Sequence, residues 1–576
     1  MPAESRRRAS ATASTFSQRD HDRDDLRLRA ASVASGASNA AVASATAPRS
    51  LGRILLVLYG PTIIFLVAGA CLYVFAFMRA RQLSTSGRAQ TSGDELQSHF
   101  LLVHGVRDIT PQAPLWLAGF ASRTRPAESA QALLNIPLWC KAIALQANGM
   151  NMVGESLEDS ERPHVLISLD LIGGHQSFRR KVAKRLESSE LGLRPGEWVL
   201  SFSHTHSGPV FGDVLQILHG NLSLEHKQQL AEYENSVLLS VTELVSEVLK
   251  GLLDAKTSAQ PVLLRYIPDV TFSAAVDRRA NRESELRMGY PRRGVFDHSV
   301  PVLSFESMRT GRPVVVVYSY AAHATVLTEN FLYSGDFPAF ASLAIEKVLR
   351  HEGENALAVF VPGCAGDQNM FPRGRIEDVQ ALGFGLADEI LAGIFDKTKV
   401  QSVIQPLLRS RFNELEISFE RRISIAELRL MARSTAWYEQ ALSKMYLRKL
   451  KQLNMAETDN VYPYPLALWA FGRGNASLSV AWLSGEAVVD FSELLRECAG
   501  SRLLVVSAYA FEVMGYIPSK RVWLEGGYES GQRSSALYGM PSRFASSLQD
   551  SICNAIYRMQ FDLSTGAGKD QPVPAV

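Results

Sequence analysis

Cysteine is scarce in this chain: five in 576 residues (Cys71, Cys140, Cys364, Cys498 and Cys553), with no Cys-x-x-Cys pair among them. So few cannot build a disulfide framework, and thiolate zinc knuckles are excluded. Any metal would have to take histidine, carboxylate or tyrosine ligands. An excess of one charge is also lacking, since 60 Lys+Arg against 58 Asp+Glu leave a net +2. That balance gives no basic footprint for nucleic acid, and no nucleic-acid partner is expected. Several catalytic signatures are missing. There is no Gly-x-Ser-x-Gly elbow, no Walker loop and no Gly-x-Gly-x-x-Gly after a strand, and His351-Glu352 lacks the second histidine of a zincin helix. With 46% hydrophobic and 20% charged residues and a mean hydropathy of −0.01, the bulk of the chain has ordinary globular composition.

The chain divides by composition. Residues 1–53 hold nine arginines and five acidic residues among Ala/Ser/Thr stretches, with almost no aromatics; such a segment buries too little to offset ordering entropy and is expected to be a disordered basic tail. Residues 54–78 carry no charge over 25 positions, long enough to span a hydrocarbon core of about 30 Å. They are expected to form one transmembrane helix, an uncleaved signal-anchor. The arginines of the whole tail favour an inside N-terminus, hence a single-pass protein with its catalytic domain on the extracytoplasmic side. Residues 79–98 read as a polar linker.

From residue 99 to 576, apolar strands alternate with amphipathic helices, which predicts an α/β fold, a mixed α+β layered domain. The clearest strands are Val165–Ser168, Trp198–Ser203, Val314–Tyr318, Leu357–Val361, Ser479–Leu483 and Leu503–Val506. The clearest helices are Glu225–Leu252, Ala339–Leu349, Ile425–Met445 and Val488–Glu497.

Chemistry-bearing residues gather at strand exits. The strand from Trp198 runs into His204-Thr-His206-Ser-Gly-Pro209, and in extended chain the i, i+2 spacing places both rings on one side. Val314–Ser319 ends in Tyr320-Ala-Ala-His323, Ser479–Leu483 in Ser484-Gly485-Glu486, and Leu503–Val506 leads to Tyr516. The carboxyl end of a sheet is where α/β proteins place ligands. Histidine nitrogen and carboxylate oxygen are ordinary zinc ligands. Each residue taken alone also fits a structural part: His323 in the core, Glu486 at a helix N-terminus, Tyr516 packed. Their shared placement favours a site.

The segment His204-Thr-His206-Ser207-Gly208-Pro209 resembles the His-Thr-His-Ser-Gly-Pro element of the neutral, non-lysosomal ceramidase family. Asp108-Ile-Thr-Pro111 with Gly119-Phe120, Ala322-His323, Gly485-Glu486, Tyr516, Tyr528-Glu529 and Leu537-Tyr538-Gly539 follow in the family's order. The resemblance implies a catalytic Zn2+ held by His204, His323, Glu486 and Tyr516. It implies His206 as proton donor and acceptor or as a holder of the substrate oxygen, Tyr528 as oxyanion donor and an arginine of Asp277-Arg278-Arg279, taken as Arg278, at the substrate. The implied function is a zinc-dependent amidohydrolase acting on ceramide (N-acylsphingosine) or a related N-acyl lipid or small amide substrate. Two departures qualify it. The family's serine is replaced by Asn369, which can hydrogen-bond substrate but cannot act as a hydroxyl nucleophile. With 38 residues after Tyr538, no counterpart of the family's C-terminal β-sandwich is expected in this sequence. The alternatives are a zinc hydrolase of another amide or ester, and a zinc-site binding protein without turnover.

Overall fold

The computed structural model describes residues 98–565, apart from 149–161, 189–191, 220–221, 255–258, 352–354, 400, 474–476 and 502. The stretch from Glu95 onward forms one compact unit. Its strands are β1 (His99–Asp108), β2 (Trp139–Asn148), β3 (His164–Leu169), β4 (Trp198–Phe202), β5 (Gln260–Ile267), β6 (Ala275–Asp277), β7 (Val302–Ser307), β8 (Pro313–Tyr320), β9 (Leu357–Pro362), β10 (Gln368–Met370), β11 (Ser402–Ile404), β12 (Leu408–Ser418), β13 (Val461–Phe471), β14 (Leu478–Leu483), β15 (Glu486–Ala487), β16 (Leu504–Ser507) and β17 (Tyr516–Ile517).

A mixed nine-stranded sheet runs β4-β3-β2-β1-β5-β7-β8-β9, with β11 also on β5. Parallel pairs close both ends, β3 with β4 and β8 with β9. These strands are buried at every residue, which is why they read as unbroken apolar runs rather than alternating ones. The two ends approach one another: Ser168 Oγ in β3 donates to the Phe360 carbonyl in β9 at 3.0 Å. A second sheet, β12-β13-β14-β16, packs on the first. Trp469, Phe471 and Trp482 face Ile143, Leu166, Leu303 and Val317 across an apolar gap of about 30 Å³, too small and too dry to hold more than about one water. Helices Leu224–Leu253, Asp336–Leu349, Ile376–Phe395 and Leu548–Thr565 cover the sheets with buried apolar stripes.

The layered α/β expectation holds, and every predicted strand lies within two residues of an observed one. The helix expected over Ile425–Met445 is two helices, Ile425–Met431 and Trp437–Leu453. Ser434 interrupts it, accepting from the Ala436 amide (3.1 Å) with Oγ and from Gln440 Nε2 (2.7 Å) with its carbonyl, the competition with helical bonds that serine side chains offer. The helix expected over Val488–Glu497 starts at Phe491, because Glu486 and Ala487 pair with β17 instead.

The single-pass expectation is corrected. Among the described residues no helix is long and apolar enough to cross a membrane. The run 54–78 that prompted it lies outside the described residues, as do the tail 1–53 and nearly all of the linker 79–98. The anchor and the extracytoplasmic placement derived from it are withdrawn. The cysteines also do more than expected: Cys498 and Cys553 form one disulfide, joining helix Phe491–Ala499 to the C-terminal helix.

Candidate metal centre and catalytic site

Five strand exits converge where the two sheets meet. β4 delivers His204 and His206, β8 delivers His323, β9 leads into Gly366-Asp367, β14 delivers Glu486, and β16 leads towards Tyr516. His204, His206 and His323 form a group able to hold a metal ion, with their ligand atoms within 4.8 Å of one another. Glu486 Oε2 lies 3.2 Å from His204 Nε2 and 3.0 Å from His323 Nε2.

The two rings do lie together, but not by the strand alternation expected. β4 ends at Phe202, and His204 takes left-handed backbone at φ +59°. That kink, rather than strand alternation, brings the rings of His204 and His206 to 4.9 Å at 78°, with their Nε2 atoms 3.2 Å apart.

Hydrogen bonds behind the rings decide which nitrogens face the centre. His204 Nδ1 donates to the Ile172 carbonyl (2.5 Å) and His323 Nδ1 to the Ala365 carbonyl (2.6 Å). A carbonyl only accepts, so each Nδ1 carries a proton and Nε2 is the nitrogen left to face a ligand. Tyr538 OH donates to Glu486 Oε1, leaving Oε2 for the centre. Glu486 Oε2 and His323 Nε2 are both fully buried without a well-formed hydrogen bond. Unpartnered buried polar atoms are costly, and two such atoms beside His204 Nε2, aimed at one point, fit a bound cation.

Electrostatics keep these groups in ligand form. Burial, then the nearby Arg278, pushes the His323 imidazole down to about 4. Burial works to raise the Glu486 carboxyl, but His204 and His323 outweigh it and hold it well below the usual range. His206 is held well below its ordinary value by burial, with His204 and His323 adding to the effect. Its Nδ1 is buried without a partner.

The Gly119-Phe120 turn fits against His206. Gly119 has φ +94°, and a Cβ there would lie 2.2 Å from His206 Nδ1, so no other residue fits. Phe120 meets the His206 ring edge-on at 5.1 Å. Arg123 staples the turn in place, donating to the carbonyls of Ala118, His206 (2.8 Å) and Asn330 (2.9 Å).

Tyr516 lies opposite Glu486 in the β15–β17 register. Its hydroxyl accepts from Arg278 Nη2 at 3.0 Å, and burial holds its pKa well above the ordinary phenol value. Arg278 Nε also binds Glu529 at 2.9 Å. Arg279 turns away to Glu525, Glu529 and the Gly526 carbonyl, so of the two arginines Arg278 is the one at the site. Tyr528, 42% exposed, stands at the rim with its ring 5.4 Å from that of Tyr516. Asn369 is half-buried in β10 opposite Val276, next to Gln368, whose carbonyl accepts from the His323 amide (3.0 Å). That ribbon carries Asn369 and Arg278 to the same side as His323.

Sequence reasoning gave no role to Tyr538, although Leu537-Tyr538-Gly539 stood out as a segment, nor to Arg123 or Tyr509. The signal available was local: an aromatic or arginine close to a flagged glycine or strand exit.

No protein-family model matches the chain, and no curated protein matches it. Among solved structures, the chain is similar to the crystal structure of neutral ceramidase from Pseudomonas aeruginosa and to a structure described as ceramidase complexed with C2. Both show 17% sequence identity and a TM-score of 0.59, covering 83% of this chain and 77% of theirs. At that identity the likeness is one of fold, and the chain stands as a remote, neutral ceramidase-like structure.

Proposed function

We propose that this chain is a zinc-dependent amidohydrolase that cleaves the amide bond of an N-acylated lipid such as N-acylsphingosine. The observation that carries the reading is the convergence of His204 Nε2 with His323 Nε2 and Glu486 Oε2, the last two buried and unsatisfied, on a neutral ceramidase-like fold. These three, with Tyr516 beside them, are the residues that would hold the ion. A bound zinc supplies Lewis-acid polarisation of a carbonyl oxygen and a lowered pKa for water.

The chain's own residues supply the rest. His206 is neutral at pH 7 and can take a proton from the attacking water. It then returns that proton to the leaving amine nitrogen, so that amide and water become acid and amine. Tyr528 at the rim donates to the developing oxyanion, a contact typically worth about 2.7–4 kcal/mol. Arg278 fixes the Tyr516 hydroxyl, and Asn369 offers an amide to a substrate hydroxyl or carbonyl.

Asn369 favours a second reading. A substrate group that the family's serine would meet finds an amide here, which suits a different amide or an ester. The test is turnover of a labelled short-chain N-acylsphingosine by the purified full chain, with and without a zinc chelator. Chelator-sensitive fatty-acid release is expected; no release from metal-loaded protein overturns the lipid-amide reading in favour of the second.

A further inference from the structure

We infer that Tyr509 is a positioning residue for the histidine pair, holding the two imidazoles in the orientation that presents their Nε2 atoms. The inference rests on the metal-site reading above and adds a residue to which no role has been given.

Four observations carry it. Tyr509 is fully buried, and its ring packs against that of His204 at 4.5 Å and meets that of His323 edge-on at 6.2 Å. One flat side chain therefore packs against both histidines. Secondly, its backbone is left-handed at φ +57°, a conformation rare for a bulky residue and retained only where the surroundings enforce it.

Thirdly, those surroundings are the site's own strand exits. The Tyr509 amide donates to the Gly485 carbonyl (3.0 Å), next to Glu486, and its carbonyl accepts from Phe202 (3.2 Å), two residues before His204. Ala508 donates to Pro362 at the end of β9 (3.0 Å), and Ala510 to Leu483 at the end of β14 (2.9 Å). The segment 508–510 thus ties β4, β9 and β14 together and sets the ring against the histidines that β4 and β8 deliver. Fourthly, the Tyr509 hydroxyl is buried with no hydrogen-bond partner. No hydrogen bond from the hydroxyl holds the ring, so its place is set by ring packing and by the backbone bonds of the segment.

Two substitutions separate these parts. Tyr509→Phe keeps the ring and removes the unpartnered hydroxyl. Tyr509→Gly removes the ring and suits the left-handed backbone. The measurement is zinc affinity of the full chain by competition with a chromophoric chelator, with the Co(II) d–d spectrum as a second readout of ligand geometry. Tyr509→Phe is expected to bind within about twofold of the parent with an unchanged spectrum. Tyr509→Gly is expected to weaken binding about 10–100-fold, the usual effect of losing a residue that orients metal ligands, with an altered spectrum. Should the glycine variant not fold, Tyr509→Leu fills the volume without a flat face, and the same comparison decides. Parent-like affinity and spectrum in the ring-less variant overturns the inference, as does a large loss in Tyr509→Phe. A parent chain that takes up no stoichiometric metal refutes the site reading itself, and the inference falls with it.

Discussion

Among the described residues, the buried charges around Glu512 and those around Glu486 differ in how their atoms are paired. Around Glu512, Arg179 Nε binds Oε2 (3.2 Å), Tyr462 OH binds Oε1 (3.0 Å), and Arg179 Nη2 reaches Glu414 (2.5 Å). Both carboxylate oxygens of Glu512 have a partner inside the protein. Around Glu486 one oxygen is held by Tyr538, while Oε2 and His323 Nε2 face one another without a satisfying bond. A closed circuit is what a structural network needs. An open one of neutral imidazoles and an anion is what a cation needs. Glu512 and Glu486 are both near zero exposure, so burial alone would not have distinguished them.

Breaking the open cluster has the largest expected effect. His204→Ala removes one donor, and the account expects metal binding and turnover both to be lost while the unfolding midpoint of the metal-free protein changes little. Metal analysis and assay on the same preparation check this; retained activity would remove the site assignment.

Breaking the closed cluster has the opposite signature. Glu512→Gln replaces a charged partner of Arg179 and is expected to lose roughly 2–3 kcal/mol of stability, the range for hydrogen bonds to charged groups, while zinc affinity stays near that of the parent. Denaturant unfolding and a chelator competition separate the two.

Tyr538→Phe tests how sharply the clusters are divided. Without the phenol, Glu486 Oε1 loses its donor, and metal affinity should fall about 10-fold or somewhat more, with the fold retained. An unchanged affinity would show that Glu486 needs no second partner.

A further effect is in pH. Burial, opposed by Arg179, pushes the Glu512 carboxyl up to about 7 against an unfolded value of 4.5. Between those values the folded state holds the proton and the unfolded state does not, so this group's contribution to stability falls as pH rises from 4.5 to 7. The stability advantage of the parent over Glu512→Gln should therefore be larger at pH 5 than at pH 8. Paired melting curves across that range give the sign.

Much of the fold was legible because its central strands are written as continuous apolar runs ending in polar residues. His204, His323 and Glu486 were legible for the same reason, since each follows such a run. The long antiparallel pair β12–β13 was not, because Pro463 and Pro465 and a helical insertion between the strands disguise it. Nor was the Cys498–Cys553 bridge, which spacing cannot reveal. The choice of Nε2 over Nδ1 depends on the carbonyls of Ile172 and Ala365, which belong to other segments and come near only in three dimensions. The same holds for Tyr538, whose partner Glu486 lies 52 residues earlier. The uncharged run 54–78 shows the converse: composition gave a definite expectation, and among the described residues no spanning helix is found to support it.

The central claim is that the unpaired donors around Glu486 exist to hold one metal ion. The most direct test is a zinc titration of chelator-stripped full-length protein followed by calorimetry, beside Glu486→Gln. The account predicts one ion bound per chain in the parent, with a rise in unfolding midpoint on saturation, and greatly weakened binding in the variant. A parent that binds no zinc, or binds it equally well without the Glu486 carboxylate, would contradict it.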